Sequence, residues 1–165
     1  MQASDYHAPR GYVIPDEPAP GRLSALAVTP FSTLLGLMLG GAAVGLPWMV
    51  LNGFAIGSAT RRQEAAIALA TALAMGVAVA MIIALGSMHL VPSWSLPYLG
   101  LVVHAIRMTG AYSIYLRQDR SFELYQYFGG RVARHGWAIA VAVFVLRFYV
   151  LASMERGFVT ATLLF

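Results

Sequence analysis

The chain has 165 residues, a formal net charge of +4 and no cysteine; 59% of it is apolar and only 11% charged. A soluble domain carries about 25% charged residues, so this composition excludes an ordinary soluble globule and points to an integral membrane protein. Without cysteine there are no disulfides, thiol catalysis or thiolate metal sites, and the modest charge, with no dense basic cluster, argues against a nucleic-acid partner.

Residues 1–28 contain Asp5, Asp16, Glu17 and four prolines, Pro9, Pro15, Pro18 and Pro20. They lack the apolar core of a signal peptide and are expected to form a short disordered polar tail. An apolar stretch follows over residues 29–57. As one helix it would measure about 42 Å against a hydrocarbon core of about 30 Å, so it must tilt, kink or protrude. Within it, Gly36 and Gly40, Gly41 and Gly45, and Gly53 and Gly57 share the four-residue spacing that stacks glycines on one helical face. In lipid, helices associate by close backbone approach rather than hydrophobic gain, so these glycines read as packing surface. Pro47 removes a backbone donor and predicts a kink, and a buried Asn52 would need a hydrogen-bond partner.

A second span is expected over about 64–88, then a tight turn, SMHLVPSWSLP, with no Asp, Glu, Lys or Arg. The third span begins near Leu96 and runs to about residue 116, with helical character continuing toward Phe128 until Gly129 and Gly130 stop it. Residues 117–136 alternate Arg117, Arg120, Arg131 and Arg134 with Phe122, Tyr125, Tyr127 and Phe128. Basic and aromatic residues together suit anionic headgroups, so an interfacial segment is expected there. The last span covers about 137–154. The fold class expected is therefore all-α, a polytopic four-helix transmembrane domain over residues 29–165. Arg61 and Arg62 lie in the first connection, no basic residue in the second, and four arginines in the third. The positive-inside rule then puts the first and third connections in the cytoplasm and both termini outside. The alternative is a three-span chain whose first stretch is a hairpin bent at Pro47, with the amino terminus inside.

GGAAVGLPWMVLNGFAIGSATRRQEAA resembles the opening signature of a family of small bacterial four-span membrane proteins that has no assigned activity. Gly40, Gly41, Gly45, Asn52, Gly57 and Arg61 carry that likeness, and Gln126, Phe128, Gly129, Gly130, His135 and Trp137 resemble its second landmark. Ala42, Gly53 and Pro47 depart from the pattern. The resemblance implies a bacterial inner-membrane location and transfers no functional residue.

Arg107 and Arg147 each lie about ten residues inside a span, roughly 15 Å deep, where a lone arginine costs at least about 2.5 to 3.5 kcal/mol. His104 shares a face with Arg107 at three-residue spacing, and no acid lies at matching depth. Each guanidinium must snorkel, bind backbone carbonyls, hold lipid phosphate or meet another molecule's carboxylate. Catalytic signatures are missing: there is no HExxH, Walker or GxSxG motif, and His7, His89, His104 and His135 lie apart without ligand spacing. Ser113 and His104 are separated by about 13 Å along one helix. The expected function is a non-enzymatic membrane interaction protein without cofactor: an accessory or assembly subunit, or an immunity-type protein. It would bind anionic lipid and either a membrane-protein partner or further copies of itself. The alternative is a small homo-oligomeric transporter or channel.

Overall fold

A computed structural model describes residues 23–133 and 136–153, so most of the polar tail, Arg134, His135 and the last residues lie outside the described region. Every regular element among the described residues is helical: α1 (Pro30–Gly40), α2 (Ala42–Ala55), α3 (Arg61–Ser87), α4 (Leu96–Tyr127) and α5 (Gly136–Ser153), with single 3₁₀ turns at Ser24–Leu26 and Ser93–Ser95.

The stretch 29–57, expected as one span, is two helices. Thr29 caps α1 by accepting the Ser32 N–H on its side-chain oxygen, and Pro30 occupies the first turn, where its missing N–H costs nothing. The break falls at Gly41, whose φ of 83° lies in the region that favours glycine. Pro47 instead sits inside an unbroken α2, so the expected bend at Pro47 is displaced six residues toward the amino terminus. α2 doubles back on α1. Gly45 meets the backbone of Leu37, Gly36 meets the Trp48 ring, and the Val28 N–H donates to Asn52 Oδ1 across 2.9 Å. The pair is a hairpin with its tip at Gly41 and its base where Val28 adjoins Asn52. With 11 and 14 residues, its arms measure about 16 and 21 Å, both short of a bilayer core.

α3, with 27 residues, and α4, with 32, measure about 40 and 48 Å. They lie antiparallel in one register: Arg117 donates to Gln63, Gln118 to Glu64, and Gly110 abuts Thr71. Gly110 lets the Thr71 side chain touch the α4 backbone, closing the gap between the two helices. Residues 117–127, where an interfacial segment was expected to start, continue α4 without a break; the helix ends at Phe128, and Gly129, with φ of 80°, turns the chain. α5 runs alongside α1 in the same direction, with Gly136 against Ser32 and Val28 and Arg147 bonded to the Leu39 carbonyl.

Leu37, Leu46, Met49, Met75, Val103 and Ile114 form the main core between the hairpin, α3 and α4. A smaller cluster at the hairpin base joins Ala27, Ile56, Phe122 and Tyr125. The outer face of α3 stays bare: Leu69, Leu73, Val77 and Met81 are 58–63% exposed. Among the described residues, α3 and α4 are long and apolar enough to cross a membrane. An exposed apolar stripe of this length marks a surface that meets a membrane or another protein.

Candidate functional site

Two polar regions interrupt this apolar architecture, one at each end of the hairpin. At the base, Asn52, Glu64 and Gln118 come from α2, α3 and α4 and are all buried. Gln118 Nε2 donates to Met49 O (2.6 Å) and Glu64 Oε2 (3.0 Å), and Asn52 Nδ2 donates to Gln118 Oε1 (3.4 Å). Ser58 Oγ and Thr60 Oγ1 donate to Glu64 Oε1 at 2.5 and 2.7 Å. The carboxylate thus accepts from three neutral donors on two segments, α4 and the turn before α3. Gly53 makes this possible, because a Cβ there would collide with Glu64 Oε2. The network ties the hairpin to the antiparallel pair, and its dense hydrogen bonding offsets the cost of burying the polar groups.

At the tip, Arg107 of α4 is buried, with 6% of its surface exposed, and its Nε has no hydrogen-bond partner among the described residues. Arg147 of α5 donates from Nη1 to the Leu39 carbonyl, 3.1 Å away. That carbonyl belongs to the last turn of α1, whose exposed acceptors and dipole attract a cation. Arg147 is close enough for its charge to act on both His104 and Arg107, and His104 hydrogen-bonds the Gly100 backbone. The hairpin tip therefore lies beside a cluster of basic side chains.

The remaining predicted residues divide between these regions. Gly36, Gly40, Gly45 and Gly53 are buried in contacts within the chain, Gly41 is the hinge, and Gly57 turns the chain after α2 with φ of 70°. Pro47 lines an apolar cleft of about 550 Å³ between α2 and α3, beside Ala43, Leu46, Ala68 and Ala72. Arg117 and Arg120 border a separate polar cavity on α4. Arg131 is exposed and its carbonyl receives the Tyr125 hydroxyl at 2.9 Å, while Arg134 falls outside the described residues.

Sequence reasoning missed Ser58, Gln118 and the placing of Glu64. Glu64 and Gln118 sit near the ends of apolar stretches, where polar residues ordinarily meet water, and the hairpin's return brings Gly53 over both. No known family model, characterised protein or solved structure matches the chain.

Proposed function

We propose that this chain is a non-enzymatic integral membrane protein that acts by binding an acidic group of another membrane protein beside the hairpin tip, as an accessory, assembly or immunity-type subunit. The observation that carries the reading is the buried Arg107 Nε, which finds no acceptor among the described residues. A buried donor of this kind destabilises the free protein by about 1 to 3 kcal/mol, and a partner carboxylate drawn up beside the guanidinium would offset the separate cost of burying its charge. Arg147, held by the Leu39 carbonyl, adds its charge to the same region.

In the arrangement that fits this reading, α3, α4 and α5 cross the bilayer and the α1–α2 hairpin enters and leaves on one face. Its arms are too short to cross, and both its ends lie at the end of α4 that carries Gln118. The positive-inside rule assigns that end to the cytoplasm, because Arg61, Arg62, Arg117 and Arg120 gather there. The resemblance to small bacterial membrane proteins supports an inner-membrane location.

The test is purification in mild detergent followed by native mass spectrometry. A foreign membrane subunit should co-purify in fixed stoichiometry, and Arg107→Leu should abolish its capture without lowering the yield of membrane-inserted protein. Capture that persists in Arg107→Leu overturns the docking role. A second reading, a small homo-oligomeric anion transporter or channel, is favoured by a helix break beside basic residues, a geometry that transporters use for charged cargo. Homo-oligomers that pass anions in liposomes, with no foreign subunit, would establish it instead.

A further inference from the structure

A cavity of about 590 Å³ opens between the turn before α3 and the outer side of α4, lined by Thr60, Ser113, Leu116, Arg117, Arg120 and Ser121. Its hydrogen-bonding character is divided. Arg117 and Arg120 bring donors only, because a guanidinium has five N–H groups and no acceptor. Arg117 spends one of them on Gln63 Oε1 at 2.8 Å, which fixes the side chain in place. The three hydroxyls have their hydrogens engaged elsewhere: Thr60 on Glu64 Oε1 (2.7 Å), Ser113 on the Thr109 carbonyl (2.8 Å) and Ser121 between Ser58 Oγ (3.2 Å), whose own hydrogen is on Glu64, and the Arg117 carbonyl (3.3 Å). What they turn toward a ligand is therefore oxygen lone pairs. Leu116, 47% exposed, adds an apolar rim.

A ligand that fits must present an anion to the arginines and hydroxyl donors to the serines and threonine. Bare phosphate meets the first demand and sets its own oxygens against the lone pairs. An amine headgroup brings a cation toward two guanidinium groups. A doubly charged phosphomonoester is disfavoured further by the Glu64 carboxylate, one hydrogen bond behind Thr60. We infer that this cavity is a binding site for a singly charged phosphodiester with a hydroxylated head, the chemistry of phosphatidylglycerol. The inference rests on the membrane reading above and is independent of Arg107 and of any protein partner.

The full chain in detergent, offered phosphatidylglycerol, phosphatidylethanolamine, phosphatidylcholine and phosphatidic acid of matched acyl chains, is read by native mass spectrometry. Phosphatidylglycerol should be retained about tenfold over the other three, the selectivity that one charge-assisted hydrogen bond supplies. The double variant Arg117→Gln with Arg120→Gln should bring its retention down to that of phosphatidylethanolamine, while Arg62→Gln, a nearby arginine outside the cavity, leaves it unchanged. Ser113→Ala with Ser121→Ala should narrow the margin over phosphatidic acid without abolishing binding. An unchanged melting temperature in detergent shows that each variant is folded; if the arginine double variant unfolds, the serine pair carries the test alone. Displacement by soluble glycerophosphoglycerol upholds the site and assigns it to a soluble ligand, whereas resistance to displacement upholds it for the lipid. Equal retention of phosphatidic acid, or equal loss in Arg62→Gln, would show generic charge attraction and overturn the assignment.

Discussion

Gln118 occupies the centre of the hairpin base, where its amide bonds a carbonyl of α2, the carboxylate of α3 and the Asn52 side chain. Gln118→Leu keeps the volume and removes all three links, leaving Met49 O, Glu64 Oε2 and Asn52 Nδ2 buried with fewer partners. The expected loss is at least about 1 to 3 kcal/mol, the cost of stranding a buried polar group. Gln63→Leu, one residue from Glu64 but bonded only to the exposed Arg117, should stay within about 0.5 kcal/mol. Denaturation in mixed detergent micelles measures both, and equal losses would show that the buried network does not hold the hairpin. Part of this site was legible in the chain: Asn52 stands in an apolar run and requires a partner, and Arg107 lies deep in a span with no acid at its level. The partners were not legible, because the Asn52–Gln118 pairing spans 66 residues and depends on a hairpin that apolar periodicity cannot register.

Among the helices, the decisive event is the reversal at Gly41. The length of the 29–57 stretch required a tilt, kink or protrusion, and Pro47 was the conspicuous breaker, yet a proline costs a membrane helix little when its freed carbonyl is shielded by neighbours. A positive φ cannot be shared out in that way. Only glycine adopts it freely, so the chain reverses at Gly41, and the small residues at 36 and 45 let the arms close on Trp48 and Leu37. The glycine spacing signalled close packing correctly but left open that the partner surface is the other arm of the same stretch. Gly41→Ala should destabilise the protein by about 1 to 3 kcal/mol, the cost of holding an alanine at φ 83° and ψ 177°, a backbone region open essentially to glycine alone. Gly76→Ala is its counterpart: α3 is helical there and a Cβ at that position meets nothing within 4 Å, so the same change should stabilise by up to about 1 kcal/mol. Thermal unfolding in one detergent compares the two, and a neutral Gly41→Ala would mean that the hairpin does not depend on this hinge.

For the whole molecule, in the membrane arrangement proposed above, the path of the first apolar stretch would decide which side each end of the chain occupies. A single-pass first stretch puts residue 25 on the same side as residue 88, whereas a hairpin that returns to its own face puts it with residue 126. Contacts at the base favour the second arrangement: Val28 bonds Asn52, and the Ala133 N–H donates to the Ala27 carbonyl across 2.8 Å, joining the start of the hairpin to the connection after α4. Because the natural chain has no cysteine, single cysteines can be introduced without first removing others. Ala25→Cys, Met88→Cys and Gln126→Cys all replace exposed residues. In intact cells, a membrane-impermeant maleimide should label Met88→Cys alone, and Ala25→Cys and Gln126→Cys should react only after permeabilisation. Labelling of Ala25→Cys together with Met88→Cys would restore the four-span topology and pull the hairpin base apart, since Val28 and Asn52 could not then lie on one face. The outcome also bears on Arg107, because the basic cluster sits at mid-depth beside the hairpin tip only if both arms stop short of the far surface.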